Sequence, residues 1–253
     1  MAGRPGTLVG ALVVAGLLAG AATAQAAPRQ CTGAIGPETV RGDVVVPAGA
    51  ACDLAGTRVR GSVQVRDGAS LFAQQADVDG NVRGSTGSRL DFEGGSVNGN
   101  VESNSGAALN LISIAVDGNV RVQGGGTEVF GDGVDARGSL EATGAEFFDL
   151  HNSTVRGNFL ARDTRLGSFF CGNTLNGNAD FVRNLALLVI GSPAGECAAN
   201  SVSGNMRVED NEADTEISGN EVRGNLICFD NDPPPVGGGN RVRGNKEGQC
   251  RLL

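Results

Sequence analysis

The sequence has no tryptophan, no tyrosine, a single histidine and only 10 phenylalanines in 253 residues. A compact globular domain of this length normally carries more aromatic residues, so the core has to be built from small and β-branched side chains. No Cys-x-x-Cys pair accompanies the lone histidine, which disfavours a structural zinc site. The formal net charge of −8 lacks the basic excess of nucleic-acid-binding proteins, so we expect no nucleic acid partner.

The first 26 residues differ from the rest of the chain. Arg4 precedes an apolar run from about Leu8 to Leu18, and small residues lead to Ala24-Gln25-Ala26. This order is typical of a secretory signal peptide, and the run is shorter than the roughly 20 apolar residues of a membrane-spanning helix. We therefore predict a signal peptide at residues 1–26 and a single mature domain at residues 27–253, which is secreted, extracellular and not held in a membrane.

The sequence contains 41 glycines, and some of them recur at regular intervals along the chain. Val or Leu stands two positions before nearly every periodic glycine and a further apolar residue two positions after most of them, so the local period is two, as in β-strands. Stacking such units buries a continuous core. We predict an all-β, single-domain parallel β-solenoid of about eleven coils of 19–20 residues. The anchoring glycines are Gly42, Gly61, Gly80, Gly99, Gly118, Gly138, Gly157, Gly177, Gly204, Gly224 and Gly244.

Two further columns follow from this register. The residue after each anchoring glycine is Asn, Ser or Asp, which bonds readily to neighbouring backbone and forms ladders when stacked. Three positions after the glycine, successive coils carry residues of alternating charge, which we expect to stabilise one another across neighbouring strands. These charged residues are Arg83, Glu102, Arg121 and Glu141.

All six cysteines lie after the predicted signal peptide, in the setting where disulfides persist. Paired in order along the chain, their separations are each about one coil. We predict the bridges Cys31–Cys52, Cys171–Cys197 and Cys228–Cys250, each joining adjacent coils, with the first and last holding the two ends of the solenoid.

Candidate chemistry is sparse. The coil register places Asp210, Glu212, Asp230 and Asp232 on two adjacent turns, where their oxygens form a predicted site for Ca²⁺. The alternative is a solvated acidic turn partly balanced by Arg183. His151 is expected to point outward, and no sequence feature supplies the partner that a general base requires. No other metal or cofactor site and no catalytic residue is predicted.

Two apolar features remain to be placed. Residues 185–200 exceed one coil by about seven residues, and such insertions form loops that often carry binding. Alternation predicts Leu187 and Val189 to face inward in this coil. The pairs Phe147-Phe148 and Phe169-Phe170 recur about one coil apart and are interpreted as a stacked core or edge column rather than a sugar-binding platform.

The C-terminal run VRGNLICFDNDPPPVGGGNRVRGNKEGQC, residues 222–250, resembles the ending of a group of exported repeat proteins of actinobacteria, and the use of Arg over Lys, with Lys246 the single exception, suits a high-GC genome. This resemblance implies export and no particular activity. The coil pattern is also loosely similar to right-handed parallel β-helix proteins, the class of the pectate lyases, which favours a right-handed solenoid.

Three functions are compatible with these features. The favoured hypothesis is a monomeric, non-catalytic extracellular scaffold or binding module that contacts polysaccharide or the cell envelope. The alternative is a carbohydrate-active β-helix enzyme, a polysaccharide lyase or hydrolase, that uses the acids near Asp210 and Asp230. A self-assembling end-to-end polymer is the third hypothesis.

Overall fold

The computed structural model describes residues 1, 3, 27–192 and 198–253, and this part of the chain is an all-β parallel solenoid. Ten complete turns each contribute a strand to three faces, with partial turns at both ends. The predicted solenoid is therefore confirmed. The predicted signal peptide lies outside the described residues apart from Met1 and Gly3. No helix of the described residues is long and apolar enough to cross a membrane.

Every strand pairs in parallel with its equivalent in the neighbouring turn, so each face is a continuous sheet. Two strands, Ser70–Val78 and Arg89–Val97, continue around a corner and belong to both face B and face C. The chain ends in a 3₁₀ helix at Gln249–Leu252. Face A consists of Arg29–Gln30, Val44–Val46, Val63–Val65, Val82–Gly84, Val101–Ser103, Val120–Gln123, Leu140–Thr143, Phe159–Arg162, Ala179–Val182, Met206–Glu209, Leu226–Phe229 and Lys246–Gly248. Face B adds Ala51–Asp53, Ala108–Ile112, Glu128–Asp132, Phe147–His151, Ser168–Cys171, Leu188–Gly191, Thr215–Ser218 and Val236–Gly238. Face C adds Thr39–Val40, Arg58–Val59, Ala115–Val116, Asp135–Ala136, Thr154–Val155, Thr174–Leu175, Ser201–Val202, Glu221–Val222 and Arg241–Val242.

The core is a set of parallel columns of small and β-branched side chains, because alternation along each short strand sends every second residue inward. Valines on either side of the anchoring glycines, such as Val116 and Val120, are fully buried. The aromatic part of the core lies in the middle turns, where the ring centroid of Phe159 is 5.1 Å from that of Phe148 and 4.5 Å from that of Phe170. The scarcity of aromatic residues is thus compatible with a closed core.

The residues that follow the anchoring glycines form the predicted ladder along the corner between faces C and A. The Asn119 N–H donates to Asn100 Oδ1 at 2.8 Å, and the Ser139 N–H donates to Asn119 Oδ1 at 2.8 Å. The same bond recurs in the other turns, from Ser62 to Asn245. The side-chain oxygen of each turn therefore holds the backbone of the next.

The anchoring glycine is required here because neighbouring turns approach closely. A Cβ on Gly118 would lie 2.5 Å from Asn100 Oδ1 and 2.5 Å from the carbonyl oxygen of Gly99. Both atoms belong to the preceding turn, and the carbonyl is backbone that cannot rotate away. This close approach explains the spacing that dominates the sequence.

Gly118→Ala is therefore expected to lower the free energy of unfolding by about 1–3 kcal/mol, the usual cost of overpacking. Urea denaturation followed by circular dichroism measures the change. Gly125→Ala is the matched control, since a Cβ there meets only the end of the Arg165 side chain, no closer than 3.5 Å. Equal stability of the two variants would show that close approach is not what selects glycine.

Two further asparagine ladders are buried inside the solenoid, and the sequence reading did not identify them. One runs along the corner between faces B and C, and the other runs along the corner between faces A and B. Their members stand four residues before and seven residues after the anchoring glycines. The first contains Asn173, Asn200, Asn220 and Asn240, and the second contains Asn184, Asn211 and Asn231, followed by Gln249.

Two of the three predicted disulfides are confirmed. Cys31–Cys52 and Cys228–Cys250 have Cα–Cα distances of 5.4 and 5.1 Å and join adjacent turns at the two ends. In the third predicted bridge, Cys171–Cys197, Cys197 lies outside the described residues. Both confirmed bridges hold the terminal turns, where an open solenoid is most exposed to fraying.

The outward columns of face A confirm the predicted charge alternation. Arg83 Nη2 lies 2.6 Å from Glu102 Oε2, and Arg121 Nη2 lies 3.0 Å from Glu141 Oε2. Each pair joins neighbouring strands in register. Opposite charges therefore compensate one another in this part of face A.

The predicted inward positions of Leu187 and Val189 are wrong by one residue. Leu188 and Ile190 are buried, whereas Leu187 is exposed and Val189 lies on the outer side of face B. The corner before this strand contains one residue more than the same corner in the shorter turns. This additional residue changes which side chains of the strand point inward. A shift of one residue turns every side chain of a strand to the opposite face.

Candidate functional site

The outer surface of face B carries an unusual row of side chains, which we call the central row. It is formed by one outward residue of each face B strand, and consecutive members are direct partners in register. Exposed aromatic rings alternate in it with carboxylate and amide groups. The central row consists of Asp53, Phe72, Asp91, Asn110, Phe130, Asp149, Phe169, Val189, Glu216 and Val236.

Three phenylalanines of the central row are partly exposed to solvent. The exposed fractions of Phe72, Phe130 and Phe169 are 44%, 38% and 37%. With neighbouring strands about 4.8 Å apart, Phe72 and Phe130 are three strands or about 14 Å apart, and Phe130 and Phe169 are about 10 Å apart. Aromatic rings exposed in line along a rigid sheet are typical of interaction surfaces.

Polar groups with unused bonding capacity lie between the first two rings. Asp91 Oδ2 accepts from Arg89 Nε at 2.5 Å. Asp91 Oδ1 and Asn110 Oδ1 belong to side chains adjacent in register, and both atoms are buried with no hydrogen-bond partner among the described residues. Buried polar atoms usually find partners. These two oxygens therefore have unused capacity to accept hydrogen bonds, which a ligand can use only when the two side chains turn outward.

Two shallow grooves meet at this pair. One, of about 280 Å³, is lined by Phe72 and Glu93 on the N-terminal side, and the other, of about 290 Å³, is lined by Glu128 and Phe130 on the C-terminal side. Asp91 and Asn110 line both grooves. The grooves therefore form one depression that runs along the solenoid axis between two aromatic rings.

A second polar cluster follows Phe130. Burial raises the pKa of Asp149, and the charge of His151 and the N–H of Phe169 oppose this shift only in part. His151 Nε2 lies 3.9 Å from Asp149 Oδ2, and Asp149 Oδ1 accepts from the Phe169 N–H at 3.0 Å. His151 points outward as predicted. Asp149 is a carboxylate neighbour of His151 that the sequence did not indicate.

The four carboxylates of the predicted cation site lie elsewhere, on turns near the corner between faces A and B. Asp210, Glu212, Asp230 and Asp232 are all exposed. Across the described residues, no three His, Cys, Asp or Glu side chains lie close enough together to hold a metal ion. The structure therefore does not gather these four acids into one cluster.

The alternative interpretation of this turn, partial balance by Arg183, agrees with the contacts. Arg183 Nε donates to Asp163 Oδ1 at 2.9 Å. The hydrogen bond to Asp163, its charge and a smaller contribution from Asp210 raise the pKa of Arg183. The guanidinium thus compensates acidic groups on both neighbouring turns.

The phenylalanine pairs divide between core and surface. Phe148 and Phe170 are buried, which confirms the predicted core column, whereas Phe169 belongs to the exposed central row. Part of the sequence signal for the row was available, because its members stand eleven or twelve positions after the anchoring glycines, between two inward residues. The corner lengths that keep the row aligned were not apparent from the sequence.

The chain matches no protein-family model, no curated protein and no solved structure.

Proposed function

We propose that the protein is a secreted, extracellular, non-catalytic binding module that holds a neutral polysaccharide along the central row of face B. The observation that carries the proposal is one straight row in which exposed phenyl rings alternate with polar side chains. Two oxygens of this row, Asp91 Oδ1 and Asn110 Oδ1, lack hydrogen-bond partners among the described residues. A glycan offers the complementary groups, because its rings present apolar C–H faces and its hydroxyls donate hydrogen bonds. The repeating turns match a ligand that is itself a linear repeat.

The charge of face B supports a ligand without anionic groups. Acidic side chains dominate the outward positions around the depression, including Asp53, Glu93 and Glu128, whereas Arg89 is already bonded to Asp91. A polyanion would bring like charges together there, at a cost that increases as water is displaced. Neutral polymers avoid this cost.

The proposed extracellular location agrees with the two confirmed disulfides, since such bridges persist in oxidising compartments. We further propose that the protein acts as a monomer. The bridged terminal turns and the 3₁₀ helix after the last strand support this proposal, because they occupy the ends at which solenoids would join.

The test is a depletion assay with oxidised protein purified from an exporting host. The protein is mixed with insoluble cellulose, xylan, mannan and chitin, with polygalacturonate as the anionic comparison, and the protein left in solution is measured. We expect depletion by at least one neutral polymer without any requirement for calcium. Depletion by none of the neutral polymers would contradict the proposal.

Phe130→Ala is expected to weaken this binding about tenfold, because truncating a central aromatic contact commonly costs 1–2 kcal/mol or more. Phe229→Ala is the matched control, since Phe229 is 43% exposed but lies on a face A strand away from the row. Both variants should keep the circular dichroism spectrum of the parent. Equal affinity of the two variants would remove the row from the binding surface.

A carbohydrate-active enzyme is the second candidate, and Asp149 is the observation that favours it. A carboxyl whose pKa is raised by burial is suited to donate a proton as a general acid, and His151 lies beside it. The same assay decides, because an enzyme would release oligosaccharides into the supernatant. Loss of those products in Asp149→Asn with retained fold would assign the activity to face B.

A further inference from the structure

Face C carries a charge pattern opposite to that of face B. The residues directly before the anchoring glycines follow the face C strands, and they form one column at the edge of this face, which we call the arginine column. Arginine occupies both ends of the column and two positions near its middle. The column consists of Arg41, Arg60, Asp79, Asn98, Asp117, Arg137, Arg156, Asn176, Ser203, Arg223 and Arg243.

The arginines near the middle of face C are neutralised by carboxylates of neighbouring turns. Arg137 Nη1 lies 3.0 Å from Asp117 Oδ2, and Arg156 Nη2 lies 3.2 Å from Asp135 Oδ2. These contacts resemble the compensated charges of face A. They leave little capacity for an additional anion.

The arginines at the two ends of the column behave differently. Arg41 and Arg60 lie on adjacent turns at one end, Arg223 and Arg243 lie on adjacent turns at the other, and all four side chains are exposed. Across residues 27–192 and 198–253, no carboxylate forms an ion pair with any of these four. These arginines directly follow paired strands, and like charges side by side on adjacent strands are destabilising. Both pairs are therefore positions where an external anion would relieve repulsion.

The C-terminal pair also lines a depression. A groove of about 160 Å³ is bordered by Arg223, Arg243, Arg241 and Ser201. Glu221 is the one acidic residue that lines this groove. Its Oε1 lies 3.4 Å from Arg241 Nη1, so it partly compensates the charge of Arg241 and not that of Arg223 or Arg243. Each guanidinium offers five N–H donors in a planar fork that fits carboxylate or phosphate oxygens.

We propose that the arginine column docks an anionic cell-envelope polysaccharide, with its carboxylate or phosphate groups bound at the unpaired arginines. From Arg60 to Arg223 the column spans eight strand spacings, or about 38 Å. A long polymer therefore engages both terminal pairs of one molecule, and a short oligomer engages one pair. Two linked contacts raise the overall affinity through effective concentration.

The two faces then serve different ligands. Face B repels polyanions through its carboxylates, so an anionic chain that approaches the protein is directed to face C. The inference does not depend on the neutral glycan proposed for face B, because it rests on different residues. A molecule with both activities would connect an anionic envelope polymer to a neutral one.

The test measures binding of the oxidised protein to polygalacturonate, as the carboxylate source, and to a glycerol-phosphate polymer, as the phosphate source, with neutral dextran and duplex DNA as comparisons. We expect one or both anionic polysaccharides to bind, with affinity that falls as salt is raised and is higher for long chains than for short oligomers. The polymer that binds identifies the source of the anion. Binding to neither, or to DNA alone, would overturn the proposal.

The double variant Arg223→Gln with Arg243→Gln is expected to bind about tenfold more weakly, since exposed charge contacts are each worth up to about 1 kcal/mol. The matched control is Arg66→Gln with Arg165→Gln, which removes the same charge from exposed arginines outside face C. The control should stay within about twofold of the parent. Equal affinities for the two double variants would refute a site at the arginine column.

Folding and independence of the two faces are checked with the same proteins. Removing Arg223 and Arg243 relieves repulsion, so the melting temperature of that variant is expected to equal or exceed that of the parent. Phe130→Ala should bind the anionic polymer as the parent does. An anionic polymer that fails to bind Phe130→Ala would place both ligands on face B and contradict the assignment to face C.

Discussion

Asn220→Ala is expected to lower the free energy of unfolding by about 3–5 kcal/mol, because it removes a fully buried side chain that makes hydrogen bonds in three directions. Asn220 Nδ2 donates to the Ile190 carbonyl at 3.0 Å and to Asn240 Oδ1 at 2.9 Å. Its Oδ1 accepts from Asn200 Nδ2 at 2.8 Å. The substitution removes these bonds from the interior, where water does not replace the lost partner.

Hydrogen exchange together with urea denaturation measures this effect. Contacts in a solenoid are mostly between adjacent turns, so the largest loss of protection should appear in the turns that contain Asn200, Asn220 and Asn240. Asn225→Ala is the control, because Asn225 belongs to the solvent-exposed ladder and its main bond, from the Asn245 N–H at 2.9 Å, can be replaced by water. A destabilisation of Asn225→Ala as large as that of Asn220→Ala would show that burial does not decide the cost.

Phe159→Ala is the second large expected effect, with a loss of about 3–5 kcal/mol from the cavity and from the apolar area removed. Phe159 is fully buried, and its ring centroid lies 4.5 Å from that of Phe170 and 5.3 Å from that of Phe181. No other ring in the described cluster contacts as many of its members. The cavity would therefore open at the centre of the aromatic part of the core.

Urea denaturation also measures the Phe159 variants. Phe159→Leu is expected to lose less than about 1.5 kcal/mol, since it keeps most of the volume. Phe229→Ala, at an exposed phenylalanine, is expected to change stability by less than about 1 kcal/mol. A small loss in Phe159→Ala would mean that neighbouring side chains fill the space, and the aromatic cluster would then not determine the stability of the middle turns.

Much of the fold could be predicted from the sequence because the same residue pattern recurs in successive coils. The anchoring glycines set the coil length, and this length alone placed Asn100 beneath Asn119 and Arg83 beside Glu102. The same register paired Cys31 with Cys52. In each case the interacting residues are one coil apart, so counting along the chain was sufficient.

The candidate sites could not be predicted in the same way. The central row depends on which residue of each face B strand points outward, and corners of different length shift this by one residue, as at Val189. Ion pairing raises a similar difficulty. Arg137 and Arg243 occupy equivalent positions, but among the described residues only Arg137 forms an ion pair with a carboxylate.

The sequence by itself determined the parallel solenoid, its coil length, the exposed ladder and the two confirmed bridges, because each follows from contacts between residues at one fixed separation. The tertiary structure alone decided which face carries exposed aromatic rings, which asparagines are buried and which arginines form ion pairs with described carboxylates. These properties arise where three sheets meet at corners of variable length. The direction of a side chain there depends on the local backbone, and its partners depend on how the turns are stacked.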